Sequence, residues 1–188
     1  MPAPESRDKA IDTAAALFAR QGFVATGVSQ VIEESGTPKG SFYFNFPGGK
    51  EELGVESLNL AGGRLAGAIS QLAASQDSPA GFLEALVTAL AGGLEATGYE
   101  QGCPIATVAL ETATTSEPMR LAAETQFKEW EQAIATGLAG GRKPAKKHRE
   151  FAATVLVMLE GGLLMAKVQQ DTGPLESLKP VFRQLLRG

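Results

Sequence analysis

The sequence predicts an all-α protein. Apolar residues recur at helical spacing along the whole chain, no segment alternates apolar and polar residues long enough to make a strand, and Gly and Pro fall where helices should stop. The 188 residues, 44% apolar and 20% charged, fit one globular domain or two small ones and can bury a core.

Ile11, Ala14, Ala15 and Phe18 stand at i, i+3, i+4 and i+7, giving a first helix with one apolar face that stops near Gly22, with Phe23 packing beneath it. A short second helix follows over Val28–Ser35, with Thr26 expected as its cap, Val28, Val31 and Ile32 turned inward, and Gly36 ending it. Thr37 can cap a third helix that opens at Pro38, where the missing N–H of proline does no harm. Pro47-Gly48-Gly49 breaks the chain before a long helix over about 50–74. Ser78-Pro79 caps the next, which runs toward Thr97. A loop over 98–103 then leads to a short apolar helix from Pro104 through Leu110. Ser116-Glu117-Pro118 opens a helix carrying Phe127 and Trp130 and fading at Gly137. Two helices remain, over about 145–170 and 174–187.

Glycine is abundant, 22 residues, and several lie inside expected helices: Gly54, Gly62, Gly63, Gly67, Gly92, Gly93, Gly161 and Gly162. Each costs roughly 1 kcal/mol relative to Ala. Close helix approach, room for a ligand, and drift in an Ala- and Gly-rich composition all remain open. The most apolar stretch, 151–166, is interrupted by Glu160 and Gly161-Gly162 and reads as a buried helix rather than a membrane span. Phe151, Val155, Met158, Gly162, Met165 and Gln169 form one stripe on it, and Ala152, Leu156, Leu159, Leu163 and Ala166 a second. With Leu175, Leu178, Phe182 and Leu185 on the last helix, one face can serve the chain's own body and the other a second copy in a four-helix bundle, with Gly161-Gly162 allowing close approach. A wholly internal core is the alternative.

The net charge of −4 excludes binding nucleic acid through bulk positive charge, so any such contact must be local. Residues 1–50 are themselves neutral, with five cations (Arg7, Lys9, Arg20, Lys39, Lys50) against five anions. One cysteine excludes an internal disulfide, and with a single histidine it argues against structural zinc; no metal or cofactor is expected. There is no Ser-His-Asp set and no phosphate-loop or dinucleotide glycine pattern, and His148, in the basic run 146–149, reads as a solvated residue at a helix start, so an enzyme is not expected. The first residues, Met1-Pro2-Ala3-Pro4-Glu5-Ser6-Arg7-Asp8, lack the apolar core of a signal peptide, and a cytoplasmic protein is expected.

Residues 28–46 have the form of a helix-turn-helix, whose second helix lies in the DNA major groove. Phe42 and Phe46, at i and i+4, can pack on Val31, Ile32 and Phe18. That leaves Lys39, Gly40, Ser41, Tyr43 and Asn45 facing outward. Lys can donate to guanine, Ser and Asn to base edges or phosphate, Tyr to phosphate, and Gly40 lets the backbone come close. Lys50 adds to this, because a cation in the first turn of a helix opposes the macrodipole unless an outside anion such as a DNA phosphate relieves it; Glu51 and Glu52 offset the dipole in the free protein.

The ordered set Gly22-Phe23-Val24-Ala25-Thr26, Val31-Ile32-Glu33-Glu34-Ser35-Gly36, Lys39-Gly40-Ser41-Phe42-Tyr43, Phe46 and Lys50-Glu51-Glu52-Leu53 resembles the TetR-type helix-turn-helix. The doubled glycine at Gly48-Gly49 and the segment from Gly102 to Glu111 are similar to the LmrA/YxaF-type subgroup. The resemblance implies a homodimeric, all-helical repressor of about nine helices, with a DNA-binding head over 1–48 and an effector-binding and dimerisation body over 49–188. By position it implies DNA contacts from Thr26, Ser29, Lys39, Gly40, Ser41, Tyr43, Asn45 and Lys50. It places Phe82, Tyr99, Cys103, Ile105, Leu110, Glu111, Phe127 and Trp130 on the helices that line the family's effector pocket, for an aromatic or drug-like ligand, with the core as the alternative place for the aromatic residues and a cap or solvent-facing role the alternative for Glu111. Cys103, before Pro104 at a helix start, is also open to a redox role or to that of a small buried residue. Thr37 and the pair Phe44-Asn45 depart from the family pattern. A helical binding or scaffold protein without a DNA role is the competing reading.

Overall fold

A computed structural model describes residues 4–187, so Met1 to Ala3, part of the stretch on which the reading of the N-terminus rested, lie outside the described residues. The described chain is helical without strands. Its elements are α1 (Pro4–Gln21), α2 (Val28–Ser35), α3 (Lys39–Asn45), α4 (Gly49–Ala74), α5 (Pro79–Ala96), α6 (Pro104–Thr112), α7 (Glu117–Leu138), α8 (Lys146–Gln169), α9 (Gly173–Glu176) and α10 (Leu178–Leu185). The helix expected over 174–187 is broken at Ser177. Pro180 has no N–H to give the carbonyl four residues back, so the ladder fails there and Ser177 Oγ turns onto Pro174 O at 2.8 Å.

Two compact units emerge, and neither is continuous in sequence. The first holds the residues up to Gly63 together with Pro104–Phe127; the second holds Arg64–Cys103 and the residues from Lys128 on. These units cut elsewhere than the division expected at 48/49, because α4 and α7 each run through both and α6 packs on α1.

In the first unit, Ala14, Phe18, Val31, Phe42, Phe46 and Leu53 are buried beside Ile105 and Val108 of α6 and Met119 of α7. The rings of Phe42 and Phe46 lie 5.1 Å apart, and Arg7 stacks over Phe46 at 5.6 Å while pairing with Glu56 at 3.1 Å. Phe23 packs on Phe18 at 5.2 Å, beneath α1 as its position suggested. Neither expected threonine cap forms. Gly27 and Pro38 occupy the cap positions of α2 and α3 without side-chain bonds. Thr26 instead donates to Gly22 O at 2.7 Å, and buried Thr37 donates to Ser6 O at 3.1 Å, so both hydroxyls close tertiary turns. Gly36 ends α2 at φ 65°, a left-handed conformation that glycine takes without strain.

In the second unit, α5, α8, α9 and α10 enclose Phe82, Leu83, Val87, Val155, Leu159, Leu175 and Phe182. Ser78 caps α5 by accepting from Gly81 N at 3.1 Å. Arg183 donates to Glu84, tying α10 to α5 and holding that carboxyl below the usual range. His148 is not simply solvated: its Nδ1 accepts from Ala145 N at 3.1 Å and caps α8. By length and composition α8 could cross a membrane, yet Ala152, Val155, Leu156, Leu159, Leu163 and Ala166 are buried inside the unit. The second stripe is therefore core.

The helical glycines divide. A Cβ at Gly54 would strike Met119 and Phe23, and one at Gly62 would strike Gln126, so these mark close approach. Gly63, Gly67, Gly92, Gly93 and Gly161 have open space instead.

Candidate DNA-binding face and effector body

The turn at Gly36 sets α3 against α2 with Phe42 and Phe46 as its buried anchors, and this fixes which side chains remain outside. Lys39 and Gly40 are exposed, Tyr43 is half exposed, and Ser41 lies at the edge of the helix. Ser29 is exposed in the first turn of α2, whose glycine cap supplies no side chain to the free N–H groups there. Tyr43 is braced edge-on against Phe42, ring centroids 5.4 Å apart, so its hydroxyl is carried on a rigid base.

Three expected contacts stand differently. Thr26 is fully buried and accepts from Gln21 Nε2 while donating to Gly22 O; its side chain holds the turn between α1 and α2 and is closed off from solvent. Asn45 is half-buried at the end of α3, and its Nδ2 is buried without an acceptor rather than presented to solvent. Lys50 is turned inward: its ammonium donates to Val24 O at 3.4 Å and lies 4.3 Å above the Phe23 ring. Burial there lowers its pKa, opposed by the nearby Glu111 charge. Glu52 offsets the start of α4 directly by accepting from Gly48 N at 2.8 Å.

Phe44, 69% exposed on the outer side of α3, was missed. Two residues past Phe42 on a helix is about 200° around the axis. The spacing that buries Phe42 and Phe46 thus turns Phe44 outward, where a phenyl ring can meet a thymine methyl.

The residues expected around an effector are divided between the two units. Phe82, Trp130 and Cys103 are buried in the second unit, with Tyr99 half-buried there at φ 63°. Ile105 is buried and Phe127 half-buried in the first. Leu110 is 83% exposed, on the outer side of α6. The Glu111 carboxylate accepts from Val24 N at 2.8 Å, at the turn after α1. Sequence could not show this, since the two residues lie 87 apart. A groove of about 310 Å³ in the second unit is lined by Ser70, Ala73, Asp77, Pro79, Thr136 and Gly137 among others, and by none of the eight. On α8, burial holds the Glu160 carboxyl above its usual range, partly offset by a hydrogen bond from Cys103.

Most of the residues expected at a dimer interface are covered within the chain. Val155, Gly162, Leu175 and Phe182 are buried within the chain, and Phe151, Met158 and Leu178 half-buried; Met165 alone is exposed. Gly162 serves an internal contact, since a Cβ there would stand 3.1 Å from Leu175 and 3.2 Å from Leu178. The apolar side chains left outside are Val157, Leu164, Met165 and Val168 on α8, with Val181 and Leu185 on α10. A helix apolar all round gives no phase, and only its packing partners select one.

Residues 10–56 match the model of the bacterial regulatory proteins of the tetR family, and residues 79–180 match the LmrA/YxaF-like C-terminal domain of transcriptional regulators. The chain is 33% identical over 183 residues to the HTH-type transcriptional regulator LmrA of Bacillus subtilis, covering 97% of each. It is 34% identical over 171 residues to the regulator YxaF of the same organism, covering 91% of this chain and 90% of the other. Its fold is similar to that of reduced NemR from E. coli, with a TM-score of 0.83 at 22% identity over 95% of this chain and 96% of that one. Head and body matches together cover most of the chain, and the protein belongs to the TetR family of transcriptional regulators, with an LmrA/YxaF-like C-terminal domain.

Proposed function

We propose that the protein is a repressor that binds a palindromic operator as a homodimer and is released by a small hydrophobic or aromatic effector. The observation that carries the DNA reading is the sorting of α3: Phe42 and Phe46 are buried while Lys39, Gly40, Tyr43 and Phe44 stand together outside. Ser29 and the free N–H groups of α2 hold backbone phosphate, and the outer face of α3 reads base edges. The exposed stripe on α8 and α10 joins two copies, setting the heads in successive major grooves roughly 34 Å apart. Similarity of residues 79–180 to the LmrA/YxaF-like domain supports the effector. The ligand acts by binding the DNA-free state better, so that operator and effector weaken each other reciprocally. Acting on chromosomal DNA, it works in the cytoplasm.

The test is binding to DNA upstream of its own gene and to sequences selected from random duplexes, over a salt series and against shuffled DNA. A footprint of two symmetric half-sites is expected, with a modest salt slope because the head is neutral. Selection that returns no preferred sequence overturns the reading in favour of a helical binding protein without a DNA role.

A further inference from the structure

The groove of about 310 Å³ in the second unit opens where α4 and α7 end and α5 begins. Ala73 and Ala74 close α4, Thr136 and Gly137 lie in the last turn of α7, and Gly140 and Gly141 then turn the chain away at φ 62° and 77°. A helix carries roughly half a negative charge at its C-terminus, which a Lys or Arg in the last turn commonly answers. Neither α4 nor α7 has one. Asp77, exposed between α4 and α5, adds a carboxylate, and no Lys, Arg or His is among the lining residues; Arg142 and Lys143 follow Gly141 without joining them.

The polar walls offer acceptors. Ser70 donates its hydroxyl proton to Ala66 O at 2.9 Å and Thr136 donates its own to Gln132 O at 2.9 Å, so each has oxygen rather than a proton left for a ligand. Gln76 donates through Nε2 to Ser75 Oγ at 3.0 Å, which leaves its carbonyl oxygen. The start of α5, the feature of opposite sign, is partly closed by Ser78 Oγ on Gly81 N and by Pro79, which has no N–H. Between these groups the surface is small and apolar: Ala73, Pro79 and Ala133 are half-buried, and Gly137 is buried where a Cβ would strike Phe82 and Ala73.

The geometry points to this groove as a binding site for a small organic cation, a primary ammonium on a compact apolar body. The charge answers the two helix ends and Asp77, the N–H donors meet the acceptors of the walls, and the body covers the alanines and Pro79. The volume stands at the small end of ligand sites. A bare metal ion is not the occupant, since among the described residues no group of three or more His, Cys, Asp or Glu could hold one. All the lining residues belong to the second unit and none is among the eight expected around the effector, so the site is independent of the operator reading.

The probe is cyclohexylammonium, with cyclohexanol as its neutral counterpart, titrated into the isotopically labelled full chain at neutral pH. The amide resonances of Gly137, Gly140 and Gly141 should move to saturation with a dissociation constant below about 1 mM. Cyclohexanol should bind at least about fivefold more weakly, and added salt should weaken the ammonium alone. Asp77→Asn, at an exposed residue, should weaken the ammonium by about two- to fivefold. Ala74→Lys, also at an exposed position, supplies the missing cation at the end of α4; it should melt at or above wild type and lose at least about tenfold in ammonium binding. If that variant does not fold, Asp77→Asn decides alone. Equal binding of cyclohexanol overturns the proposal, as do glycine resonances that stay still up to about 10 mM ammonium. Binding undiminished in folded Ala74→Lys overturns it too.

Discussion

The recognition helix α3 and the long helix α8 are both apolar-rich, yet one declared its orientation in the sequence and the other did not. In α3 two phenylalanines at i and i+4 define a single inward face, so everything between them must look out. In α8 apolar side chains surround the axis, and burial of Val155 and Gly162 but not Val157 or Leu164 is decided by α5, α9 and α10, which lie elsewhere in the chain. Amphipathic helices carry their own address, and helices apolar all round borrow it from their neighbours.

The largest effect that tests this contrast is on the anchor of α3. Phe42→Ala empties a fully buried site and should cost about 3–5 kcal/mol of stability, abolishing operator binding by loss of the head, as chemical denaturation followed by a gel shift would record. On α8 the contrast is one of kind. Leu164→Glu should turn a dimer into a monomer with the fold intact, seen by sedimentation. Gly162→Ala should instead lower the stability of each chain by about 1–3 kcal/mol through contact with Leu175 and Leu178. A dimer that tolerates Leu164→Glu would place the interface elsewhere. On the outer face of α3, Lys39→Ala should cost about 1–3 kcal/mol of operator affinity with unchanged melting; by contrast, Thr26→Ala should lower stability by about 1 kcal/mol and leave base preference alone.

The smallest effect concerns Glu160. Its folded pKa is raised by burial, so the folded protein holds this proton more tightly than the unfolded chain. Stability is greatest below the unfolded pKa near 4.5 and is lost as pH rises through the folded value. Glu160→Gln should therefore melt higher than wild type at pH 8, with the difference closing at acid pH.

Much of the fold was legible because its signals were local. Gly22, Gly36, Ser78-Pro79 and Pro104 fixed helix ends to within a residue or two. On α3, the exposure of Lys39, Gly40 and Tyr43 could be read from the positions of Phe42 and Phe46. Thr26 and Thr37 misled because a threonine before a helix can serve a cap or a tertiary turn, and only the partner carbonyls of Gly22 and Ser6 distinguish the two. Glu111 was illegible for the same reason at longer range.

The composition of the first unit constrains how the protein comes off the ribosome. Its helices α1 to α3 are made early, but Ile105, Val108, Glu111 and Met119, which complete their packing and clasp their first turn, are synthesised only after some forty residues of the other unit have intervened. A nascent chain therefore carries an unfinished head until translation has passed Phe127. The packing of the first unit is completed only when about two-thirds of the polypeptide exists.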